Sequence, residues 1–321
     1  MESGLTTRLV QTLGPMQGSD MAHGPRVSIA VPVYNGEPSI RSTLESLQAQ
    51  TYTNLEILIC DNASTDRTRE ICDEYAAGDP RIRYYRNAAN IGQTRNFRRA
   101  LDLATGEFFM WTCADDVRPS RAVEHLVAAL VNNRRAVMAH GPVIAKGKSF
   151  EVQVSNEMDL SSASAADRIR TFTRGIRHNS MIHGLYRRAA LKGLILGAHY
   201  GQDYLFTLQV CLEGPIEYIQ HPMIIYREKG TGPSTDPINP PTTLPLRGLI
   251  RGRGTKGKCL TVLLTGSKYL LKRRDITFRE RAAAVAAHLS TFARMYRRGL
   301  ILDGVSLLLR PLTGRPKWTG S

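Results

Sequence analysis

The chain has 321 residues, of which 42% are hydrophobic and 22% charged, as in an ordinary globular protein with one large domain or two smaller ones. Its net charge is +15, and residues 247–321 carry nearly all of it, with 17 Lys and Arg against 3 Asp and Glu. Five scattered cysteines fit a reduced, cytoplasmic compartment better than a disulfide scaffold. Because no apolar run reaches the roughly 18 residues that span a bilayer, we expect a soluble or peripheral protein.

From Val27 to about Ala145 short apolar segments alternate with segments of helical periodicity. The apolar segments predict strands at Val27–Val33, Leu55–Cys60, Ile82–Tyr85, Glu107–Cys113 and Ala136–Ala139. The periodic segments predict helices at Ser39–Gln50, Asp66–Ala77, Asn96–Ala104 and Pro119–Val131. Strands that alternate with such helices are typical of βαβ units around a parallel sheet, so the predicted fold class is α/β.

The second half of the chain is less regular. Helices are predicted at Ala165–His178, Arg187–Leu196 and Tyr204–Leu212, and strands at Met181–Tyr186, Ile216–Ile219 and Met223–Tyr226. Five prolines in residues 230–248 indicate an irregular connector. The basic residues that follow include apolar positions at helical spacing, which predicts helices there as well.

Polar side chains follow three of the predicted strands. They are Tyr34 with Asn35, Asp61 with Asn62, and the adjacent pair Asp115 and Asp116. Ligands of parallel α/β sheets bind beyond the carboxyl ends of the strands, so these groups share one edge. Two adjacent carboxylates repel each other unless a cation or hydrogen-bond donors neutralise them, which favours a metal–phosphate site. The alternative is that Asp116 caps the helix that follows.

Several motifs occur in a characteristic order and spacing: VSIAVPVYN at 27–35, LEILICDNASTD at 55–66, NIGQTRN at 90–96, GEFFMWTCADDVRP at 106–119, HGLYRRAAL at 183–191, GQDYLF at 201–206, LEGPIEYI at 212–219 and IIYREK at 224–229. Together they resemble the family-2 glycosyltransferases over about residues 27–229. The resemblance implies a GT-A fold, in which a Rossmann-like nucleotide-sugar-binding sheet is flanked by helices. It also implies transfer of a sugar from a nucleotide-diphosphate donor to a hydroxyl acceptor with inversion.

The resemblance implies a division of the chain into regions. Residues 27–229 are the catalytic domain, with a donor-binding half at 27–145 and an acceptor half at 146–229. Residues 1–26 are polar and glycine-rich without the apolar core of a signal peptide, and they predict a disordered lead in which Met21 is a second candidate start. The other regions are the connector at 230–248 and the basic helical segment at 249–321.

The resemblance also implies a set of donor-binding residues. They are Pro32, Tyr34, Asn35, Asp61, Arg95, Asp115 and Arg227. The first three border the nucleoside, and Asp61 accepts a hydrogen bond from the base or ribose. Arg227 pairs with phosphate, as Lys229 could, and Arg95 pairs with phosphate or orients the acid cluster. For Arg95, a solvated arginine at the start of a helix is the alternative.

Asp115 and Asp116 match the Asp-x-Asp region, which in the family holds a divalent metal, Mg²⁺ or Mn²⁺, against the diphosphate. Cys113 stands where the first acid of that motif is expected. This departure keeps open the alternative of a catalytically weakened nucleotide-binding or scaffold protein of the same fold. A second alternative is a metal-dependent nucleotidyl or phosphoryl transferase that uses the same acid pair.

An inverting displacement needs a base for the proton of the acceptor hydroxyl. Asp203 matches the acidic position of the family ahead of the helix at 204–212, although capping that helix is its alternative role. His183 is a weaker candidate for the base.

The basic segment at 249–321 is typical of amphipathic helices that lie on anionic membrane surfaces. Ordinary helices packed on the catalytic domain are the alternative, and no nucleic-acid partner is expected. A glycolipid or polysaccharide acceptor in cell-envelope synthesis would suit a peripheral enzyme on the inner face of the cell membrane.

Overall fold

A computed structural model describes residues 24–146, 151–176, 178, 180–197, 202–227, 258–273 and 276–309. Residues 227, 258–259, 296–299 and 301–309 are described by their backbone alone. The predicted connector, Lys229 and most of the predicted N-terminal lead lie outside the described residues.

The described residues contain eleven strands and eight α-helices. The strands are β1 (Val27–Val33), β2 (Leu55–Asp61), β3 (Ile82–Arg86), β4 (Phe108–Trp111), β5 (Asp116–Val117), β6 (Met138–His140), β7 (Val143–Lys146), β8 (Glu151–Val154), β9 (Leu185–Arg187), β10 (Ile216–Tyr218) and β11 (Ile224–Arg227). The helices are α1 (Ile40–Gln48), α2 (Thr68–Gly78), α3 (Gln93–Leu103), α4 (Ala122–Asn132), α5 (Ala165–Gly175), α6 (Gln202–Glu213), α7 (Lys258–Lys272) and α8 (Phe278–Leu309). The predicted α/β fold class is confirmed.

Seven strands form the central sheet in the order β10-β6-β9-β4-β1-β2-β3, in which β9 is antiparallel to both of its neighbours. β1 and β2 are buried along their whole length, as their apolar and β-branched sequences favour. The register pairs Val33 with Asp61 and Ala30 with Trp111. The loops after β1, β2 and β4 therefore leave the sheet at the same edge, as the sequence predicts.

A smaller sheet has the order β5-β11-β7-β8. Its two-residue strand β5 is antiparallel to β11, which places Asp116 opposite Tyr226. At the end of β11, Arg227 pairs with Lys146. This sheet joins the acid pair of the first half of the chain to residues of the second half.

Two elements of the second half differ from the prediction. The strand predicted at Met181–Tyr186 is a 3-10 helix at Ser180–His183 followed by β9. The helix predicted at Arg187–Leu196 is a 3-10 helix of four residues, Arg188–Leu191, and the chain turns at Gly193 with a φ of +84°. Such a φ is incompatible with a continuing helix, and glycine adopts it without strain.

The C-terminal helices α7 and α8 pack against α5 and α6. Their inner faces contribute Leu270, Ala284 and Phe292 to the same core cluster as Tyr204 of α6. Their outer surface leaves Leu264 58% exposed and Phe278 73% exposed. In the part of the chain that the structure describes, no helix combines the length and the apolar character needed to cross a membrane.

Candidate active site at the carboxyl edge of the central sheet

A cleft of about 390 Å³ opens at the edge where β1, β2 and β4 end. Four of the residues predicted to bind the donor line it: Pro32, Tyr34, Asn35 and Asp115. Asn62, which the sequence places at this edge, also lines it, together with three side-chain amides that the sequence interpretation missed: Asn90, Gln93 and Asn96. The cleft is therefore a polar groove with one acidic side, which suits a ligand with both base-like and phosphate groups.

The loop after β1 is fixed by hydrogen bonds to the loop after β2. Asn35 has a φ of 51°. Its side-chain Oδ1 accepts a hydrogen bond from the Thr65 backbone amide at 2.9 Å, and its backbone amide donates to Ser64 Oγ at 2.9 Å. At Gly36 a Cβ atom would lie 2.5 Å from Cγ2 of Val33, so a side chain there would displace the strand end. Tyr34 remains 50% exposed at the mouth of the cleft.

Asp61 is fully buried beneath this loop. Its Oδ1 accepts hydrogen bonds from the backbone amide and hydroxyl of Ser64, at 2.9 and 2.5 Å. Its Oδ2 accepts from the Tyr84 hydroxyl and from Arg86, both at 2.6 Å. These four donors fill the acceptor capacity of a carboxylate. The predicted contact with a nucleoside stays a prediction, and it requires one of these protein donors to give way.

The amides beside the cleft form a connected network. Asn62 Oδ1 accepts from Asn87 and from the Ile91 amide, both at 2.9 Å, and Asn62 Nδ2 donates to Asn90 Oδ1 at 2.7 Å. Asn96 donates to the Cys60 carbonyl at 2.7 Å and accepts from Asn87. The sequence signal was present, because these asparagines follow β2, follow β3 and open α3. A network of this kind presents rigid hydrogen-bonding groups to a ligand.

The acid pair lies on a tight turn after β4. The strand ends at Trp111, and the Asp116 amide donates to the Cys113 carbonyl at 3.1 Å. This turn directs Asp115 to the cleft and buries Asp116, which is 4% exposed. The alternative role of Asp116 as a helix cap is wrong, because α4 begins at Ala122 with Arg121 at its N-cap position.

Arg118 is a buried cation that ties this turn to distant segments. Its guanidinium donates to Thr112 Oγ1 at 2.7 Å and to the carbonyls of Trp111, Met223 and His183 at 2.7, 3.1 and 3.1 Å. Burial lowers the pKa of Arg118 to about 10, which leaves it charged at neutral pH. It therefore supplies a fixed positive charge near the acid pair, while its hydrogen bonds go elsewhere.

Asp116 lies beside Cys113 and His183. One ligand atom from each residue lies within 4.8 Å of the other two, and Asp116 Oδ2 is 4.0 Å from His183 Nδ1. Neither of these two buried atoms has a hydrogen-bond partner among the described residues. Burial raises the pKa of Asp116 to about 7 and lowers that of His183 to about 4. Orphaned acceptors of this kind fit a bound cation, although the structure joins Asp116 to Cys113 and His183 rather than to Asp115.

Asp203 lies in the first turn of α6. The helix begins at Gln202, so Asp203 is inside it and is not the cap that precedes a helix at 204. Burial raises the pKa of Asp203 to about 6. Burial, and then the charges of Asp116, Asp115 and Asp203, raise the pKa of the Cys113 thiol. The start of α6 is also tied to the cleft side, because Thr94 Oγ1 donates to Gln202 Oε1 at 3.1 Å. A carboxyl with such a pKa is suited to accept a proton near neutral pH.

The structure leaves the role of the two predicted phosphate-binding arginines, Arg95 and Arg227, untested. Arg95 is exposed in the first turn of α3 and does not line the cleft. For Arg227 the structure describes only the backbone, at the end of β11. Both assignments stay predictions.

Comparison with known proteins gives one family. The model of "Glycosyl transferase family 2" matches residues 28–195. The putative glycosyltransferase EpsE of Bacillus subtilis is 36% identical over 115 residues, which are 36% of this chain and 41% of that protein. An uncharacterized glycosyltransferase of Haemophilus influenzae is 28% identical over 233 residues, 67% of this chain and 69% of its own length. The chain thus spans about two fifths of EpsE and about two thirds of the second relative.

Among solved structures, the fold is similar to that of TarS from S. aureus. The crystal structure of TarS 1-349 superposes with a TM-score of 0.62 at 20% identity, over 89% of this chain and 77% of that chain. The same TarS fragment in complex with UDP-GlcNAc gives a TM-score of 0.63 at 19% identity, over 89% and 76% of the two chains.

Proposed function

The chain belongs to glycosyltransferase family 2, and from that premise we propose that it is an inverting transferase that uses a nucleoside-diphosphate sugar. The observation that carries the proposal is the pairing of two features at one sheet edge. A polar cleft ends at Asp115, and a carboxyl with a raised pKa, Asp203, lies within electrostatic range of the same turn.

In the proposed reaction the acceptor hydroxyl attacks the anomeric carbon from the face opposite the nucleotide. The new carbon–oxygen bond forms as the bond to the β-phosphate oxygen breaks, and that oxygen takes the bonding electron pair. Asp203 removes the hydroxyl proton, and its pKa of about 6 leaves it largely ionised at neutral pH. Single displacement gives the inverted configuration at the anomeric carbon.

The donor would lie in the cleft, with its nucleoside between Tyr34 and the asparagine network. The complex of TarS with UDP-GlcNAc supports uridine nucleotides as the first donors to test. Asp61 would meet the base or ribose only after an exchange with the Tyr84 hydroxyl or Arg86. Arg95 and Arg227 remain the proposed phosphate partners.

A divalent cation, Mg²⁺ or Mn²⁺, is proposed at Asp115 and Asp116, where the unpartnered Oδ2 of Asp116 supports a cation. When bound, it would offset the charge on the departing diphosphate as a Lewis acid. The protein side of the site is arranged by Arg118, whose four hydrogen bonds hold the acid turn in place.

The test is a screen of nucleoside diphosphates and nucleotide sugars by thermal shift, with and without Mn²⁺, followed by mass detection of product. A donor that raises the unfolding temperature only with metal, and then yields a glycoside with inverted configuration, supports the proposal. A donor that binds without ever giving product supports the scaffold alternative. Transfer of a phosphoryl or nucleotidyl group instead of a sugar supports the other transferase alternative.

The acceptor is proposed to be a glycolipid or polysaccharide precursor presented at the inner face of a membrane. On α7, Leu264, Lys268, Leu271 and Lys272 are all exposed and share one face of the helix. Exposed leucines beside lysines are typical of helices that bind anionic lipid surfaces. The basic composition of residues 249–321 adds the long-range attraction.

This surface is best tested by point substitution. Deleting residues 249–321 would remove Leu270 and Phe292 from the core and so test folding as well. Leu264→Asp combined with Leu271→Asp should abolish sedimentation with anionic vesicles at low salt. The matched control is Val131→Asp, because Val131 is 40% exposed at the end of α4. Equal vesicle binding by both variants contradicts the proposed surface.

A further inference from the structure

Three potential metal ligands meet beneath the acid turn: the Cys113 thiol, the Asp116 carboxylate and the His183 imidazole. The 4.0 Å between Asp116 Oδ2 and His183 Nδ1 is too long for a hydrogen bond. In a tetrahedral zinc site, neighbouring N and O ligands lie about 3.3–3.8 Å apart, given metal–ligand bonds of about 2.0–2.3 Å. The cluster therefore needs only a small contraction to enclose an ion.

The imidazole of His183 faces the Asp116 carboxylate across the gap. Its Nδ1 atom has no partner among the described residues and lies 4.0 Å from the unpartnered Oδ2 of Asp116. A neutral imidazole can offer Nδ1 as a metal ligand while its other nitrogen keeps the proton.

The surrounding protein leaves these two acceptors without a hydrogen-bond donor. The nearby Arg118 supplies a positive charge, but its hydrogen bonds go to Thr112 Oγ1 and to the carbonyls of Trp111, Met223 and His183. Asp116 Oδ2 stays without a hydrogen-bond partner in the described structure. Two buried acceptors facing each other are unfavourable unless a cation lies between them.

The segment that carries His183 is held against the sheet by close packing. Its neighbour Gly184 approaches β6 so closely that a Cβ atom there would lie 2.5 Å from the Ala139 carbonyl oxygen. Arg118 donates to the His183 carbonyl at 3.1 Å. The histidine is therefore placed by the fold, as expected of a ligand in a prepared site.

From this donor set we propose that Cys113, Asp116 and His183 form a thiolate-containing site that selects Zn²⁺ over Mg²⁺, so that at this turn Zn²⁺ takes the place of the Mg²⁺ or Mn²⁺ that the family resemblance implies. Thiolate and imidazole ligands favour Zn²⁺, whereas Mg²⁺ prefers oxygen ligands in an octahedron. Cys113 and Asp115 also line the cleft, so a fourth ligand position would face the donor site. The role of this fourth position toward a donor rests on the proposed function, whereas binding of the ion itself does not.

The experiment uses the tag-free full chain, stripped of metal by a chelator, and no nucleotide. Titration with Co²⁺ should give a thiolate-to-cobalt charge-transfer absorption with a stoichiometry of one ion per chain. Zn²⁺ should displace the cobalt, and Mg²⁺ should fail to do so even at about 100-fold higher concentration. No charge-transfer band in the wild-type protein overturns the proposal.

Variants of Cys113 and His183 test whether the charge-transfer absorption arises from the proposed site. Cys113→Ser should abolish it, while the control Cys72→Ala, at a buried cysteine of α2, should retain it. His183→Gln should weaken Co²⁺ binding at least about tenfold. Cys113→Asp should lose the band and bind Mn²⁺ more tightly than the wild type, because a carboxylate replaces the thiolate.

Folding and function are separated by two further readouts. Each variant is checked for a cooperative thermal transition, and if Cys113→Ser does not fold, His183→Gln decides the assignment. A band that survives in Cys113→Ser, or unchanged affinity in His183→Gln, overturns the proposal. Zinc binding without any nucleotide-sugar binding would support the ion site and reject the transferase function, and donor binding without a thiolate band would do the reverse.

Discussion

Asp61 and Asp116 are both buried carboxylates at the same edge of the sheet, yet their surroundings are opposite. Asp61 accepts four hydrogen bonds, one of them from Arg86 at 2.6 Å. Asp116 keeps an oxygen without any partner among the described groups, although Arg118 lies nearby. The first carboxylate is satisfied by its own protein, so a ligand would have to displace one of its donors. The second is left for a ligand, so the missing partner is the more informative feature.

The largest effect, a loss of catalytic rate, is expected from substitution of Asp203. Asp203→Asn should lower kcat on the order of 10²–10⁴-fold, because proton removal from the acceptor is lost. Donor affinity should stay unchanged when measured by calorimetry. The matched control is Asp167→Asn, since Asp167 is also an acid in the first turn of a helix. Lost donor affinity, with kcat retained at saturation, would move Asp203 to the donor site.

On the satisfied side, the effect should be on stability. Asp61→Asn should lower the free energy of unfolding by about 3 kcal/mol, because a buried charge with four hydrogen bonds is removed from Arg86 and Tyr84. The control is Asp73→Asn, whose carboxylate is 56% exposed in its pair with Arg69. Chemical denaturation measures both. A loss of less than about 1 kcal/mol would mean that Asp61 is not part of the scaffold.

The pH dependence of kcat should report the partly buried carboxyl of Asp203. Since the base must be ionised, the rate should be constant above its pKa of about 6 and fall tenfold per pH unit below it. A profile that stays flat down to about pH 4, the ordinary range of an aspartate, contradicts this assignment.

The stability of the fold must be measured over the same pH range, because unfolding at low pH would also lower the rate. Burial lowers the pKa of His288 to about 4, so the unfolded chain takes up a proton there as the pH falls through about 6.5. Stability from this histidine is present above about 6.5 and is lost toward pH 4. Thermal unfolding at each pH separates that loss from titration of the base.

The smallest effect on stability is expected at Asp116, and its size is what distinguishes Asp116 from Asp61. In metal-free protein, Asp116→Asn should change the free energy of unfolding by no more than about 1 kcal/mol, since Oδ2 has no described partner to lose. Stabilisation by Zn²⁺ should disappear in this variant. A loss as large as that of Asp61→Asn would place an unrecognised donor at Oδ2.

The sheet and the cleft could be predicted because their signals are local. Apolar runs such as Val27–Val33 fix the strands, and parallel strands bring the residues that follow them to one edge. The contact of His183 with Asp116 could not be predicted, since it depends on a 3-10 helix and on β5, a strand of two residues without any sequence pattern. The burial of Arg118 was missed for the same reason, because three of its four acceptors are carbonyl oxygens, which leave no trace in side-chain sequence.

Arg118 also constrains the order in which the chain assumes its structure during synthesis. Its partner carbonyls at His183 and Met223 lie 65 and 105 residues later in the sequence. At about 5–20 residues per second, the ribosome needs on the order of 5–20 s to add the last of them. Until then the guanidinium has no buried acceptors from the second half and must stay hydrated. The donor-binding half therefore cannot bury this arginine before the second half is made. In the nascent chain, the acid turn should become rigid only after β11 has been synthesised.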